Sequence, residues 1–513
     1  MSTDQVPPTQ GVCQRDLCAI LLVTLLGFAL RILFTNGPLG GDDTNYFAAA
    51  SEILERGYID SLHHHFGRLV LLLLVGIPGA ALDSFYVSCL VNILWSMAAD
   101  LAAVLLAWRL LGSRAALFCA IVLLLNGLTM SYSGTILPEP LVTLFAFLAT
   151  WAFQGAIDGG QGKVVSMAFA AGVLAGLAYS VKDTGILVAP LLLLYLAVFY
   201  LRRRPFRVLF TIGAACVAGF VLAALLESLT LWLLTGDFAY RYHAISQTHN
   251  SVLPPALDFV DFVRRGWWNF SMVLDQPLAL GLPILTFFGA WCFCLFRRPA
   301  LRIFAFVGLG LVLYSLFGTS SFTRLMNLPF QERYATLFFP FGAICLAACV
   351  ASLLGRPRTG TAATALIVAG SLWAGLAVAS PRAGTLYFTE NLRNAVLAID
   401  SVPEGQVAAP EFLCTQLRRV GPVRMKKRLE CLPHEATLVP EGLEILVLPT
   451  HGLMADLDQF SGSERLLDGA GWVRHSVHEA GQRNIDRLLG IGERRATTGV
   501  VIYVRRNVAV SVP

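Results

Sequence analysis

Apolar stretches of about twenty residues recur along the first 380 residues of this 513-residue chain, and they constrain its fold more than any other feature. A helix of that length can cross a bilayer, and it must be helical because lipid offers the backbone no hydrogen-bonding partner. The sequence therefore predicts about eleven membrane-spanning helices. They cover residues 17–34, 85–111, 115–133, 141–156, 164–181, 185–201, 208–235, 278–296, 303–319, 335–354 and 362–379.

The composition agrees with this pattern. Hydrophobic residues make up 56% of the chain and charged residues 14%, whereas soluble domains usually carry about 25% charged residues. This excludes a soluble globular protein. The net charge of +5 is modest, and the basic residues form short clusters between apolar stretches, so no nucleic-acid partner is expected. The predicted fold class is an all-α polytopic membrane protein.

The distribution of basic residues predicts the orientation. Residues 68–82 are apolar but short and interrupted by glycine and proline, so we interpret them as an interfacial or re-entrant segment. The basic clusters, such as Arg202-Arg203-Arg204, then all fall on one side, which is the cytoplasmic side together with the N-terminus. Every long polar connection falls on the outer side, where loops would carry the function: 35–67, 236–277, 320–334 and the tail after 380.

The composition changes near residue 380, which predicts two domains. Residues 1–380 form the membrane domain, with a first outer loop at 35–83, and residues 381–513 form a small soluble α/β domain outside the membrane. Within the second domain, apolar runs at 443–448 and 499–504 indicate strands, and a helical pattern lies around 484–489.

Two cysteines lie in this predicted soluble domain, Cys414 and Cys431. In an oxidising compartment they could form a disulfide, but their spacing alone leaves pairing and free thiols equally open.

The segment Gly40-Gly41-Asp42-Asp43-Thr44-Asn45-Tyr46 follows the first apolar stretch directly. Two adjacent carboxylates at a membrane surface are unfavourable unless they do chemistry or bind a cation. Either aspartate could also cap a helix that begins near Thr44 and ends at Gly57. In isolation, the capping interpretation would be the better one.

The surrounding residues favour chemistry. Asp42, Tyr46, Ala50 and Gly57 resemble the first-loop motif of GT-C glycosyltransferases, in the branch that holds protein O-mannosyltransferases and the aminoarabinose transferases of lipid A. Asp43 replaces a glutamate that is frequent in that branch, so the motif does not decide which of the two carboxylates has the main role in the reaction.

Three later segments extend the resemblance. Arg109-Leu110-Leu111-Gly112-Ser113-Arg114-Ala115-Ala116 lies between two predicted spans, and Tyr132-Ser133-Gly134 precedes Glu139, an acidic residue at the outer start of a span. Gln331-Glu332-Arg333-Tyr334 precedes a helix that contains Pro340. All four matches occur in the family's order and on the same predicted side of the membrane.

The resemblance implies transfer of a sugar from a polyprenyl-phosphate donor, with inversion at the anomeric carbon, on the outer face of the membrane. The acceptor is a hydroxyl or amine of a glycan, lipid or protein, which family membership does not specify further. Such an acceptor must lose a proton, so we assign the general base to Asp42 first and Asp43 second. Glu139 would position the acceptor or share the proton.

The departing lipid phosphate gains negative charge, which cationic groups stabilise. Arg333, Lys182 and Arg324 are the candidates, and Tyr46 and Tyr334 are candidate substrate-binding residues. Interfacial snorkelling explains Lys182 equally well, and it explains Arg324 better. The arginine- and alanine-rich composition suggests a bacterial source, and hence the bacterial inner membrane.

Two other features were weighed against this hypothesis. His63, His64 and His65 invite a metal interpretation, but consecutive side chains on a regular element point apart, so we predict no metal site, with a divalent cation only an open option as cofactor. Asp100 and Glu227 lie within apolar stretches, as expected of a transporter or flippase. The clustering of acidic residues at outer span ends and the one-sided loops favour the enzyme.

Overall fold

The computed structural model describes residues 14–35, 42–59, 62–159, 161–251, 257–319, 330–353, 369–370, 372–379, 399, 406–420, 428–432, 445–449, 472–479 and 499–505. The first half of the membrane domain contains α1 Gln14–Leu33, α2 Asp42–Arg56, α3 Leu69–Leu71, α4 Ile77–Ala81, α5 Phe85–Leu111, α6 Ser113–Leu124, α7 Gly127–Tyr132, α8 Glu139–Asp158 and α9 Gln161–Val181. It continues with α10 Val188–Tyr200, α11 Phe206–Thr235, α12 Tyr240–Ser251, α13 Phe259–Leu274, α14 Leu282–Arg297, α15 Arg302–Phe317 and α16 Phe339–Leu353.

Eight of the described helical segments are long and apolar enough to cross a membrane, and each lies where the sequence predicts a span. The chain is therefore a multi-pass membrane protein. The helices pack closely where small residues meet. A Cβ atom added to Gly172 of α9 would lie 1.9 Å from the Cys216 carbonyl oxygen of α11. Such contacts let two backbones approach each other in lipid, where apolar side chains alone give little drive to associate.

The predicted span at 115–133 is wrong in one respect, because the helix breaks in two. α6 ends at Leu124, and Asn126 begins α7 by accepting a hydrogen bond at 3.0 Å from the Thr129 backbone N–H. Gly127 allows the break to pack tightly, since a Cβ there would lie 2.5 Å from the Gly375 carbonyl oxygen. Asparagine is a strong N-cap, which explains why apolar composition alone missed the interruption.

Two other predicted spans differ in extent. The one at 335–354 starts as a 3₁₀ turn, Glu332–Leu337, and becomes α-helical only in α16. In the last, at 362–379, residues 369–370 and 372–379 are described and helical, and the other residues lie outside the described part of the chain.

The segment at 68–82 folds as α3, a π-helical turn Leu72–Gly76, and α4, which together are too short to span a bilayer. It packs between α2 and α5. Gly76 makes a close approach to α2, since a Cβ there would lie 2.6 Å from the Ala50 Cβ. The segment thus holds α2 against the membrane helices.

The described C-terminal residues contain a five-stranded mixed sheet. Its strands are β1 Val407–Pro410, β2 Leu429–Leu432, β3 Ile445–Pro449, β4 Trp472–Glu479 and β5 Gly499–Arg505, in the order β2-β1-β3-β5-β4. β1 pairs in parallel with β2 and β3, whereas β5 is antiparallel to β3 and β4. Both predicted strands are confirmed, and the predicted helix near 484–489 lies outside the described residues.

Helix α17, Glu411–Val420, follows β1 and packs against β2 and against α2. Cys414 of α17 forms a disulfide with Cys431 of β2. This decides the pairing that the sequence left open, and it ties the helix that contacts α2 to the sheet.

Candidate functional site

Four of the predicted charged residues meet at one end of the helical bundle, and we call Asp42, Glu139, Lys182 and Arg333 the charged cluster. Arg333 Nη2 donates to Asp42 Oδ2 at 3.1 Å, and Lys182 Nζ donates to Glu139 Oε1 at 2.6 Å. Arg333 Nε lies 3.8 Å from the same Glu139 oxygen. Arg333 therefore links the two carboxylates.

The four residues come from four separate parts of the fold. Asp42 opens α2, Glu139 opens α8, Lys182 follows the last residue of α9, and Arg333 lies in the 3₁₀ turn before α16. Each therefore lies at or just beyond the end of a helix, which keeps the charges out of the apolar interior of the bundle.

The two carboxylates differ in accessibility. The Asp42 side chain is 36% exposed, whereas that of Glu139 is 2% exposed. Asp42 is therefore the more accessible of the two carboxylates. Tyr334 lies beneath both cations, with Lys182 Nζ 4.2 Å and the Arg333 guanidinium carbon 5.7 Å from its ring centroid. Cation–π contacts of this kind hold the two basic groups in place.

Asp42 is ionised at neutral pH. Burial raises the pKa of its carboxyl, but the hydrogen bond from His65 and the positive charges of Arg333 and Arg68 outweigh burial and hold the pKa below its usual range. Both carboxylate oxygens have protein partners, because His65 Nε2 lies 3.3 Å from Oδ1 while Arg333 binds Oδ2.

The three consecutive histidines lie together, so the expectation that their rings point apart is wrong. His63 and His65 stack with ring centroids 4.5 Å apart, and His64 lies 3.9 Å from His65. The cause is the tight turn over residues 64–67, which has no regular side-chain alternation. The expectation rested on regular elements and did not apply to a turn.

The contact between His63 and His65 defines their hydrogen bonding. Their Nδ1 atoms are 2.7 Å apart, so one of them must carry a proton and donate it to the other. Burial lowers the pKa of His63 and lowers that of His64 to about 4, so both are neutral at pH 7.

One ligand nitrogen from each of the three histidine rings lies within 4.8 Å of the others, close enough to hold a cation. The absence of a metal site therefore stays a prediction.

The predicted residues Asp43 and Tyr46 are buried and are not members of the charged cluster. Asp43 is fully buried and within electrostatic range of the Cys89 thiol of α5. Tyr46 is also fully buried, with its ring edge against His65 and the Arg68 guanidinium 5.2 Å from its centroid. Arg324 lies outside the described residues.

A second charged network adjoins the cluster, and the sequence did not predict it. Arg241 of α12 donates through Nη2 to Asp183 Oδ1 at 2.7 Å and through Nη1 to Glu227 Oε1 at 2.6 Å. Asp183 follows Lys182 directly, so the two networks are adjacent along the chain. The adjacent Lys182 and Asp183 at the end of an apolar stretch were the sequence feature that could have indicated this second network.

Both acids inside apolar stretches have partners. Glu227 pairs with Arg241, and Asp100 pairs with Arg31 of α1, whose side chain is completely buried. These ion pairs account for the burial of both acids without a transported ion.

The helical bundle, with its charged cluster at one end, defines the chain as a multi-pass membrane protein with the GT-C fold. Residues 79–232, less than a third of the chain, match the family described as dolichyl-phosphate-mannose-protein mannosyltransferase. No curated protein matches the chain in sequence.

Solved structures with the same fold cover nearly the whole chain. ArnT from Cupriavidus metallidurans, in the apo state, matches over 94% of this chain and 97% of its own, with a TM-score of 0.54 and 13% identity. The same protein bound to undecaprenyl phosphate matches over 96% of this chain and 98% of its own, with a TM-score of 0.50 and 13% identity.

The archaeal oligosaccharyltransferase AglB from Archaeoglobus fulgidus, in complex with an inhibitory peptide and a dolichol-phosphate, also has this fold. It matches over 96% of this chain and 88% of its own, with a TM-score of 0.54 and 12% identity. At such identities the similarity concerns the fold, and it confirms the predicted resemblance to GT-C membrane proteins at that level.

Proposed function

We propose that the protein is an inverting glycosyltransferase that moves a sugar from a polyprenyl-phosphate donor to a hydroxyl or amine acceptor of a glycan, lipid or protein. The observation that carries this proposal is the contact between Asp42, which is accessible, and Arg333, which also approaches the buried Glu139. The matched family segment and the fold shared with structures that hold dolichol-phosphate or undecaprenyl phosphate support the lipid-phosphate donor.

The phosphate of the donor binds to Arg333 and Lys182. Both cations lie near the same oxygen of Glu139, with Lys182 at 2.6 Å and Arg333 at 3.8 Å from Oε1. A guanidinium and an ammonium group stabilise the charge that develops on the lipid phosphate as the anomeric bond breaks. Glu139 is too buried to meet an acceptor, so its role is to hold the two cations in position.

Asp42 is the general base. It accepts the proton of the acceptor hydroxyl or amine while the acceptor atom forms a bond to the anomeric carbon, and the electron pair of the broken carbon–oxygen bond leaves with the lipid phosphate. When the phosphate engages Arg333, Asp42 loses part of its cationic environment. Its pKa then rises, and the carboxylate becomes a better base. The base thus gains strength only after the donor has bound.

The charged cluster lies on the outer side of a bacterial inner membrane in this proposal, with the N-terminus in the cytoplasm and residues 381–513 outside. The asymmetric distribution of basic residues supports this orientation. The disulfide between Cys414 and Cys431 supports it independently, since such bonds persist in oxidising compartments.

The test compares Asp42→Asn with Asp43→Asn in purified protein, using undecaprenyl-phosphate-linked labelled sugars and a lipid extract of a deletion strain as the acceptor pool. Asp42→Asn should reduce transfer by about 10²- to 10⁴-fold and retain undecaprenyl phosphate binding. Asp43→Asn is the matched control and should change transfer by less than about tenfold, because Asp43 lies outside the charged cluster. Normal transfer by Asp42→Asn would place the base elsewhere.

A further inference from the structure

A small cavity lies directly beside Arg333, between α5, α7, α8 and the 3₁₀ turn before α16. Its volume of about 20 Å³ is enough for one water-sized group. Hydroxyl-bearing side chains dominate the polar part of its lining, together with the carboxylates of Asp100 and Glu139. The hydroxyl groups belong to Ser96, Thr129, Tyr132, Ser133, Thr143 and Thr336.

Three polar atoms of the cavity residues have no hydrogen-bond partner within the described part of the chain. They are Glu139 Oε2, Ser133 Oγ and Arg333 Nε. Glu139 and Ser133 are each 2% exposed, so solvent outside the fold does not satisfy them. Buried polar groups are almost always paired, and unpaired ones that line one cavity indicate a ligand that supplies the partners.

We propose that this cavity binds hydroxyl groups of the donor sugar. A hydroxyl group can donate to Glu139 Oε2 and accept from Arg333 Nε–H, and a neighbouring hydroxyl can pair with Ser133 Oγ. This inference rests on the proposed function, because it takes the ligand to be the sugar of a lipid-phosphate donor. Ser133 and Glu139 then determine which sugars the protein accepts.

The charges around the cavity favour a neutral ligand. Glu139 is paired with Lys182, and Asp100 is paired with Arg31, so each lining carboxylate already has a cationic partner. A further carboxylate or ammonium group would enter without a counter-charge of its own, which is unfavourable at such burial. The small volume means that one edge of the sugar enters, with one or two hydroxyl groups, while the ring stays at the mouth.

Arg333 connects this pocket to the chemistry. It lines the cavity and binds Asp42 through a different nitrogen, Nη2. A phosphate held by Arg333 therefore lies next to both the cavity and the base. The sugar attached to that phosphate can reach the cavity, and the acceptor approaches from the side of Asp42.

The experiment measures binding of two ligands to the full-length protein in nanodiscs, undecaprenyl phosphate and undecaprenyl-phosphate sugars from a panel of neutral hexoses and pentoses. Ser133→Ala should leave the Kd of undecaprenyl phosphate unchanged and weaken binding of the best sugar-bearing ligand by about five- to tenfold. Ser131→Ala is the matched control, because that serine is also buried, lies two residues earlier in the chain, and its hydroxyl donates to the Gly127 carbonyl at 2.8 Å. The control should bind both ligands like the wild type.

The outcomes separate this inference from the proposed function. If Ser133→Ala weakens the binding of both ligands equally, or of neither, the cavity does not recognise the sugar and the inference is overturned. The proposed binding of the lipid-phosphate donor would still stand. If the wild-type protein does not bind undecaprenyl phosphate at all, the proposed function fails first.

A second measurement needs no substitution. The wild-type protein is tested with analogues of the best sugar that each lack one hydroxyl group. Loss of affinity at one or two adjacent ring positions supports the cavity, and equal affinity for every analogue excludes it.

Discussion

Asp42 and Arg333 are 291 residues apart in the chain and form an ion pair of 3.1 Å. Because Arg333 also lies 3.8 Å from Glu139, the same guanidinium joins the start of α2 to the start of α8. The pair keeps Asp42 charged and keeps Arg333 directed toward the space where we place the donor phosphate. The proposed base and the proposed phosphate-binding group thus depend on the same contact.

Replacing Arg333 should affect donor binding and the strength of the base together. In Arg333→Gln, the Kd of undecaprenyl phosphate should rise by about tenfold or more, because a charge-assisted contact is lost. The pKa of Asp42 should rise toward the ordinary value of about 4, since a neighbouring cation no longer lowers it. The acid limb of the kcat/KM profile should therefore move to higher pH.

A suitable control for this variant is Arg264→Gln, which breaks an exposed ion pair with Asp261 that does not belong to the charged cluster. It should leave binding and the pH profile unchanged, because exposed pairs contribute little. An unaltered acid limb in Arg333→Gln would mean that Asp42 does not titrate in the step that limits the rate.

His65 should act through Asp42. His65→Ala removes the group that hydrogen bonds to Oδ1, so Asp42 loses a fixed orientation, and kcat should fall by about tenfold with little change in the KM of the donor. His65→Gln supplies an amide N–H at a similar reach and should recover part of the rate. Steady-state kinetics on both variants gives this comparison.

His64→Ala is the matched control, since His64 stacks on the same ring but lies outside the hydrogen-bonded series that runs from His63 through His65 to Asp42. Its rate should equal that of the wild type. Equal losses in His64→Ala, His65→Ala and His65→Gln would reduce the role of His65 to packing of the turn.

The ion pair between Arg31 and Asp100 should stabilise the bundle. Asp100→Asn leaves a fully buried guanidinium without its counter-charge and should destabilise the fold by about 3 kcal/mol, measured by thermal unfolding in detergent. The double variant Arg31→Gln with Asp100→Asn should recover most of the stability. Normal stability with abolished activity in Asp100→Asn would instead assign a functional role to the acid.

The sequence predicted the members of the charged cluster because each lies at a place that chemistry marks out. All four occur at the ends of apolar stretches, namely Asp42, Glu139, Lys182 and Arg333. A charge near the membrane is unfavourable there unless it binds a partner or takes part in chemistry. The resemblance to the family motifs supported three of them, Asp42, Glu139 and Arg333, because the matching segments occur in the same order along the chain. Their distances were beyond prediction, since they depend on how α2, α8 and α9 pack.

Features that depend on irregular backbone escaped sequence reasoning. The turn at 64–67 brings three histidine rings together, and the segment after the break at Leu124 supplies Thr129 and Ser133 to the cavity. Patterns of 3.6-residue or two-residue period describe neither feature. Arg241 was missed for a related reason, because its partners lie on two other segments, Asp183 and Glu227.

The interrupted helix has a physical consequence for a substrate with two opposite solvation preferences. α6 is 12 residues long, about 18 Å, and every residue from 127 to 147 beyond the break is buried. Protein, and not lipid, therefore surrounds the hydroxyl groups that follow. In the proposed reaction, the isoprenoid tail of the donor can therefore stay in lipid. Its polar head group can at the same time enter the protein interior.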